Sequence, residues 1–273
     1  MKESISNNNT DRKVSVSVIV PSNNKNMILE FLDSYTKNLS QFKNISQVIV
    51  IGNGELKDLP KKYINKNYIK FIRYDKKFDI VPFVELRGKG MELFPSDFFL
   101  FLDDDHRFSK ESDKVLVDSN KFMATHEECG IIQLEKHEST KFGFYIKKYA
   151  HIWTSRGLFI RNIGFDYKTL YELKGACEDL LFGYEIINQC YIPYCYYNSG
   201  ITRGNDRDKS TPNNYKQYND KSYNEKILDK NVIGYIRNKY CDNKWIFYGN
   251  LRKLQYPSSL RSLIKSRLGN EII

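Results

Sequence analysis

Short apolar segments alternate with amphipathic helical segments along the first half of this chain. Residues 14–20 (VSVSVIV) alternate before becoming fully apolar, residues 47–51 and 69–74 are mostly apolar, and residues 98–102 (FFLFL) are apolar throughout. From Ile28 onward, apolar side chains recur at spacings of three and four residues, which indicates an amphipathic helix between the first two strands. Strands separated by helices form a mostly parallel sheet with crossover helices. The chain is therefore predicted to have an α/β fold.

Polar or glycine-containing residues directly follow three of these predicted strands. They are residues 21–24 (PSNN), 52–55 (GNGE) and 103–105 (DDD). In an open parallel sheet, ligands bind beyond the carboxyl ends of the strands. The sequence therefore predicts that these three segments converge on one binding site.

The composition is that of a globular protein with a large core. The 273 residues are 41% hydrophobic and 28% charged, which excludes disordered and collagen-like chains. A polar N-terminus and the lack of an 18-residue apolar run predict a chain with no signal peptide and no transmembrane segment. The five cysteines form no CxxC pair, which favours reduced thiols, no zinc site and a cytoplasmic location, the host cytoplasm for a viral protein.

Positive charge is concentrated near the C-terminus. Residues 200–273 contain 15 basic and 7 acidic residues, so they carry +8 of the net charge of +10. Residues 236–267 hold eight basic residues and one acidic residue, interleaved with aromatic side chains. This pattern suits nucleic acid, and a terminal helix with basic residues beside an apolar face suits an anionic membrane surface. A third interpretation is that the helix packs on the rest of the protein with its cations solvated.

Three consecutive aspartates form the sharpest motif. On an extended segment, Asp103 and Asp105 face one side and Asp104 faces the other. Two carboxylates on one side offer the hard oxygen ligands that Mg²⁺ and Mn²⁺ prefer. The alternative is an acidic turn or a helix cap, which the preceding apolar strand makes less favourable.

A second acidic motif follows at the predicted start of an apolar helix. Residues 164–166 (GFD) precede Glu178 and Asp179, which open the segment EDLLFG. Carboxylates at a helix N-terminus are stabilised by the helix dipole, so a capping role is one interpretation. The functional interpretation is that one of the two carboxylates acts as a general base beside the metal site.

The order and spacing of these motifs resemble the large inverting family (family 2-like) of A-type (GT-A) nucleotide-sugar glycosyltransferases. The match extends from about residue 16 to about residue 188 and comprises VIVPSNN, FLFLDDDHRF, GLFIRNIGFD and CEDLLFGYEI. The resemblance implies a flexible N-terminus over residues 1–13 and a Rossmann-like GT-A catalytic domain over 14–200. Residues 201–273 would form a polar loop and a basic helical extension that packs on this domain.

The resemblance also implies roles for individual residues. Asp179 would be the base that deprotonates the acceptor hydroxyl, and Glu178 would position the acceptor or the sugar. Asp103 and Asp105 would bind the metal, Mn²⁺ or Mg²⁺, together with the sugar diphosphate. The residues that would contact the nucleotide-sugar donor, a UDP-sugar in the first instance, are Pro21, Ser22, Asn23, Glu55, Arg87, Lys89, Asp103, Asp104 and Asp105.

Two features depart from the family pattern. The second strand usually ends in acidic residues that contact the base or ribose, and Glu55 alone can take that role here. All four histidines precede the Glu-Asp motif, so water, phosphate or Asn198 would complete the metal coordination.

Two further segments have open interpretations. Residues 87–90 (RGKG) are either a cationic segment close to the diphosphate or a surface turn. Trp153 and Arg156 are assigned to the acceptor side, where the tryptophan ring would form an apolar wall, and the alternative for Trp153 is a core residue.

The sequence thus predicts a metal-dependent inverting glycosyltransferase of the hexosyl type, whose acceptor is a glycan or a lipid-linked sugar. Peripheral contact with a membrane is compatible with that acceptor. A second possible acceptor is a hydroxylated base in DNA, such as a hydroxymethyl pyrimidine, because of the basic C-terminal charge. A third interpretation, from a different class, is a non-catalytic nucleic-acid-binding protein, and the intact acidic motifs argue against it.

Overall fold

The chain folds into a layered α/β structure. In this computed structural model, the residues whose structure is described are 14–54, 56–75, 83–135, 143–146, 156–173 and 178–204, together with Tyr235 and Ser262. In chain order, the elements are β1 (Val16–Ser22), α1 (Lys25–Asn38), a 3₁₀ turn (Phe42–Asn44), β2 (Ser46–Asn53), α2 (Lys61–Ile64), β3 (Ile69–Tyr74), α3 (Phe83–Leu93), β4 (Phe98–Phe101), β5 (His106–Arg107), α4 (Lys110–Thr125), β6 (Cys129–Leu134), β7 (Gly143–Ile146), β8 (Leu158–Arg161), α5 (Tyr167–Glu172), α6 (Glu178–Asn188), β9 (Ile192–Tyr197) and β10 (Thr202–Arg203).

Eight of the described strands form one mixed sheet in the order β3-β2-β1-β4-β8-β6-β9-β7. The first four are parallel to one another, β8 runs antiparallel between β4 and β6, and β7 runs antiparallel at the edge. The predicted α/β fold with a mostly parallel sheet is confirmed. Because β1, β2 and β4 are parallel, the segments that follow them lie at the same edge of the sheet.

Local sequence explains where the two long helices begin. The side chain of Asn24 accepts hydrogen bonds from the N–H groups of Asn26 and Met27, which caps α1. Ser109 and Ser112 form a reciprocal capping box at the start of α4. These caps fix helix starts within a few residues of the strand ends that form the site.

The antiparallel strand β8 brings another segment to the same edge. Its first residue, Leu158, pairs with Phe101, the last residue of β4. The preceding Gly157 has a φ of +134°, and a Cβ there would lie 2.9 Å from the side chain of Leu102. A glycine is required for this close approach, which leaves Arg156 beside the aspartate run.

The structure corrects two predicted strand ends and one interpretation of residues 87–90. Strand β1 does not end before Pro21, because Pro21 and Ser22 continue the parallel register opposite Ile51 and Gly52. Strand β2 likewise continues beyond its predicted end at residue 51, as far as Asn53. Residues 87–90 are not a surface turn, since they lie within α3, where Arg87, Gly88 and Gly90 are buried. The start of α6 at Glu178, by contrast, is as predicted. Within the described residues, no helix is both long and apolar enough to span a membrane.

Candidate functional site

The three aspartates after β4 lie in different surroundings. The side chain of Asp103 is 33% exposed, whereas Asp105 is 6% exposed. Asp104 turns toward the end of β1, where its Oδ2 accepts a hydrogen bond from Oγ of Ser22 at 2.5 Å. Asp103 and Asp105 instead lie close to the buried His106. The run is not extended as predicted, because Asp104 and Asp105 lie in a turn that the N–H of His106 closes by donating to the carbonyl of Asp103 at 3.1 Å. This turn still separates Asp104 from the neighbouring pair Asp103 and Asp105.

A buried arginine joins the two acidic motifs. Arg87, on α3, is fully buried. Its Nε donates to Oε1 of Glu178 at 3.1 Å, and its Nη2 donates to Oδ1 of Asp103 at 2.9 Å. Its Nη1 donates to two backbone carbonyls, one in β1 and one just after β4. The rigid fork of the guanidinium therefore fixes the start of α6 against the aspartate run.

The Glu-Asp motif opens α6 with one buried and one more accessible carboxylate. Glu178 is 7% exposed, while Asp179 is half-buried. Burial raises the pKa of Glu178, the nearby Arg87 lowers it, and the carboxylates of Asp179 and Asp103 add to the rise. The more accessible Asp179 is the member of the pair that a substrate can approach.

The pKa of Asp104 is also raised, to about 7, chiefly because the carboxylate is removed from water. The hydrogen bond from Ser22 and the charge of Arg107 lower it, and the neighbouring Asp103 and Asp105 raise it. Near neutral pH, this carboxyl group is consequently divided between its protonated and its ionised form.

His106 is neutral and has a defined tautomer. Burial lowers its pKa, so the imidazole is uncharged near neutral pH. Its Nδ1 accepts the backbone N–H of Asp103 at 3.1 Å, which leaves the proton on Nε2. Nε2 is buried, lies 3.9 Å from Oδ1 of Asp105, and has no acceptor at hydrogen-bond distance in the described part of the chain.

Asp103, Asp105 and His106 form a candidate metal group. One ligand atom from each residue lies within 4.8 Å of the other two. In this tautomer the protonated Nε2 of His106 is a donor, so the imidazole would lie beside a bound cation without ligating it. The two carboxylates fit a hard divalent cation such as Mn²⁺ or Mg²⁺.

A second arginine faces the same aspartates. The pairing of β10 with β5 places Arg203 opposite His106. Its Nη2 lies 3.9 Å from Oδ2 of Asp103, and its Nε lies 3.9 Å from Oδ2 of Asp105. No sequence motif marks Arg203, because its position depends on this two-residue pairing with a strand that lies almost 100 residues earlier.

The remaining candidate residues are placed as follows. Pro21 ends β1 together with Ser22, and the exposed Asn23 packs near Gly54 at the end of β2. Lys89 is not brought to the aspartates, because its ammonium pairs with Glu92 and lies over the ring of Tyr171 in α5.

Arg156 is close enough to His106 to lower the pKa of that imidazole. Asn198 directly follows β9 with a φ of +58°. The candidates Glu55 and Trp153 lie outside the described residues, as do most residues of the basic C-terminal segment.

No protein-family model and no curated protein matches the chain. Several solved structures are similar to it. GalNAc-T7, solved with UDP, GalNAc and Mn²⁺, is 12% identical with a TM-score of 0.52, over 85% of this chain and 57% of that one. Residues 1–349 of TarS from S. aureus are 19% identical with a TM-score of 0.47, over 87% and 76% of the two chains. The mannosyltransferase PcManGT from Pyrobaculum calidifontis, solved with GDP-Man and Mn²⁺, is 11% identical with a TM-score of 0.49, over 68% and 57%.

The similarity to GalNAc-T7 identifies the fold. The chain has the Rossmann-like GT-A architecture, in agreement with the prediction from the motifs. It spans 57% of the length of the GalNAc-T7 and PcManGT structures that it matches.

Proposed function

We propose that this protein is a metal-dependent glycosyltransferase that uses a nucleotide-sugar donor. The observation that carries the proposal is the double ion pair of Arg87, which joins Asp103 of the aspartate run to Glu178 of the Glu-Asp motif. A structural cap or an acidic turn does not require a fully buried cation between two motifs 75 residues apart. Donor-side and acceptor-side carboxylates at one sheet edge are the arrangement that sugar transfer needs.

In the proposed reaction, Asp179 is the general base. Its carboxylate takes the proton of the acceptor hydroxyl as the oxygen attacks the anomeric carbon, and the bond to the diphosphate breaks. A single displacement of this kind inverts the anomeric configuration. Glu178, held by Arg87, orients the acceptor or the sugar from the first turn of α6.

Asp103 and Asp105 would hold the divalent ion, Mn²⁺ or Mg²⁺, which supplies charge neutralisation at the leaving diphosphate. Ser22 and Asn23, at the end of β1, would lie along the nucleotide with Asp104. Among donors, a hexose linked to UDP is tested first, because GalNAc-T7 was solved with UDP. The inverting outcome, the hexosyl group and the UDP donor are all parts of the proposal.

For the acceptor, we propose a glycan or a lipid-linked sugar. A hydroxylated base in DNA is the second candidate, and the observation in its favour is the +8 charge of residues 200–273. A non-catalytic nucleic-acid-binding protein would bind DNA without consuming a nucleotide sugar.

The test is slow hydrolysis of nucleotide sugars by the purified protein. A panel of UDP-, GDP- and TDP-sugars is incubated with Mn²⁺, and release of the nucleoside diphosphate is measured. We expect turnover of one donor that is abolished by EDTA and restored by Mn²⁺ or Mg²⁺. Asp105→Asn should lose most of this turnover and still fold, whereas the exposed Asp58→Asn is the matched control. Full turnover in EDTA would refute the metal site, and no binding or turnover of any donor would refute the proposed function.

A further inference from the structure

The backbone fixes the position of Arg203 relative to the aspartate run. Arg203 lies in β10, which pairs antiparallel with β5 directly after the aspartates. The N–H of the next residue, Gly204, donates to the carbonyl of Asp105 at 2.7 Å. These backbone hydrogen bonds fix the Cα of Arg203 relative to Asp103 and Asp105.

The guanidinium faces the aspartates without forming hydrogen bonds to them. Its two distances to carboxylate oxygens are both 3.9 Å, which is beyond hydrogen-bond length but close enough for strong electrostatic attraction. Its Nε is buried and, among the described residues, has no acceptor within hydrogen-bond distance. A buried N–H without an acceptor is unfavourable, so the geometry points to an acceptor that a ligand supplies.

The two arginines of the site have different roles. Arg87 is fully buried and hydrogen-bonded to Oδ1 of Asp103, so it belongs to the framework. Arg203 is 21% exposed and faces the other oxygen, Oδ2, of the same residue. It therefore lies on the accessible side of the carboxylates, where a ligand would enter.

We infer that Arg203 makes metal binding at Asp103 and Asp105 depend on the presence of a diphosphate. Without ligands, the guanidinium balances the charge of the two aspartates. A divalent cation that enters between them meets the positive charge of Arg203 and binds weakly. A diphosphate that enters with the cation gives Nε the oxygen acceptor that it lacks, and the planar guanidinium favours a two-point contact with such an anion.

This inference rests on the proposed function for its ligand, and it adds a quantity that can be measured. If Arg203 opposes the metal and attracts the diphosphate, each ligand raises the affinity for the other by the same factor. Coupling factors in proteins are typically about 5- to 150-fold. Removing the charge of Arg203 should raise the affinity for the metal alone and lower the coupling factor.

The experiment compares wild type, Arg203→Gln and the control Lys114→Gln. Lys114 is an exposed cation on α4 that pairs with Asp118, so its loss also changes the net charge by one. Binding of Mn²⁺ is measured by calorimetry and by the EPR signal of free Mn²⁺, with and without inorganic pyrophosphate or UDP. Association of Mn²⁺ with these anions in solution is common to all three proteins and cancels in the comparison.

We expect Arg203→Gln to bind Mn²⁺ alone about 5-fold more tightly than wild type, and to lose most of the enhancement by pyrophosphate. The control should match wild type in both measurements. Arg203→Lys keeps the charge but not the planar fork, so it should bind Mn²⁺ alone as weakly as wild type and bind pyrophosphate less tightly. It also tests the inference if Arg203→Gln does not fold.

Three outcomes would overturn the inference. One is equal or weaker binding of Mn²⁺ alone by Arg203→Gln, and another is an unchanged enhancement by pyrophosphate. The third is an equal loss of the enhancement by pyrophosphate in Lys114→Gln, because the effect would then follow from the net charge of the protein. A wild-type protein that binds neither Mn²⁺ nor any nucleoside diphosphate would instead refute the proposed function, and the role of Arg203 with it.

Discussion

At the scale of single residues, the carboxylates of the site differ in their partners and in their exposure to solvent. Asp103 and Glu178 share the buried Arg87, Asp104 is bonded to the neutral Ser22, and Asp179 stays accessible. Carboxyl groups that differ this much in surroundings differ in their proton affinity and in their chemical role. Substitutions at these positions should therefore affect different properties: turnover at one position, stability at another and the pH dependence of stability at a third.

Asp179→Asn tests the assignment of the base. General-base catalysis typically contributes about 10²- to 10⁴-fold, so kcat should fall by that order while the affinity for the donor nucleotide changes little. NMR of the product should show an anomeric configuration opposite to that of the donor. The exposed Glu172→Gln serves as control. A product with retained configuration would exclude Asp179 as the base of a single displacement.

Arg87→Gln should be strongly destabilising. The change removes the buried cation with which the carboxylates of Asp103 and Glu178 are paired. Removing one partner of a buried ion pair typically lowers the free energy of unfolding by about 3–5 kcal/mol. Urea unfolding followed by circular dichroism measures the loss. Lys89→Gln, on the same helix, removes a partly exposed cation and should change the free energy of unfolding by less than about 0.5 kcal/mol. Similar values for the two variants would contradict the bridging role of Arg87.

Asp104→Asn should stabilise the protein at high pH and not at low pH. The folded-state pKa of about 7 lies above the ordinary value of 3.8, so between these values the folded state keeps a proton that the unfolded state releases. The free energy of unfolding therefore falls as pH rises through this window, and the cost is fully present above pH 7. Asparagine does not ionise and avoids that cost.

The expected gain from Asp104→Asn is about 1–3 kcal/mol at pH 8, since the carboxyl group is partly accessible, and about zero at pH 4. Urea unfolding in a chelating buffer at both values measures it. The exposed Asp58→Asn serves as the control. A variant less stable than wild type at pH 8 would contradict the raised pKa.

At the scale of elements, helix α3 carries Arg87 to the site because it packs very close to the sheet. A Cβ on Gly90 would lie 2.9 Å from Ile19 and 3.1 Å from Ile51, both of which are fully buried. A Cβ on Gly88 would instead meet the ring edge of Tyr171 at 3.3 Å. Gly90 is thus explained by the close packing of α3 on the sheet, whereas Gly88 lies where α3 packs against α5.

Gly90→Ala and Gly88→Ala form a matched pair on this helix. Both should gain up to about 1 kcal/mol of helix propensity. Gly90→Ala must also displace β-branched side chains of the core, which typically costs about 1–3 kcal/mol and would shift Arg87 away from the acidic motifs. We expect Gly90→Ala to have the lower melting temperature and the lower turnover, with Gly88→Ala close to wild type. The reverse order would contradict the close packing of α3 on the sheet.

At the scale of the whole molecule, the charge is divided unevenly. The basic residues of 236–267 lie outside the described residues. Arg203, near the start of the segment 201–273, is described, and its Nη2 lies 3.9 Å from Oδ2 of Asp103. The residues proposed to bind the donor all lie at or before Arg203. Binding of the acceptor and hydrolysis of the free donor should therefore be separable by substitution.

Arg261→Ala combined with Lys265→Ala distinguishes the proposed acceptors. If the two cations contact duplex DNA, the salt dependence of binding should flatten by nearly two units, at about 0.9 per phosphate. If the acceptor is borne on a membrane, the same change should weaken binding to anionic vesicles by about 1 kcal/mol per cation. Hydrolysis of the free donor should be unchanged in either case. Identical binding curves for both proteins on both partners would show that these cations contact neither.

The sequence by itself determined the strands, the sheet edge and the two acidic motifs. Burial of both faces of β1, β2 and β4 requires apolar runs, and the polar residues that end such runs are visible in a short window of sequence. The start of α6 was also predictable from a short window of sequence, because acidic residues are typical of the first turn of a helix. The end of β1 was misplaced by two residues, because the register with β2, and not the local propensity of Pro21, decides where pairing stops.

The tertiary structure alone decided how the motifs are connected. The sequence placed Arg87 in either a donor-binding segment or a surface turn. In the structure, Arg87 is buried and bonded to Asp103, 16 positions later in the chain, and to Glu178, 91 positions later. The protonated nitrogen of His106 follows from one backbone hydrogen bond, and the position of Arg203 follows from the pairing of two short strands. Such contacts depend on distances between segments that are remote in the chain. Local periodicity contains no information about those distances, because they are set when helices and strands pack around a common core.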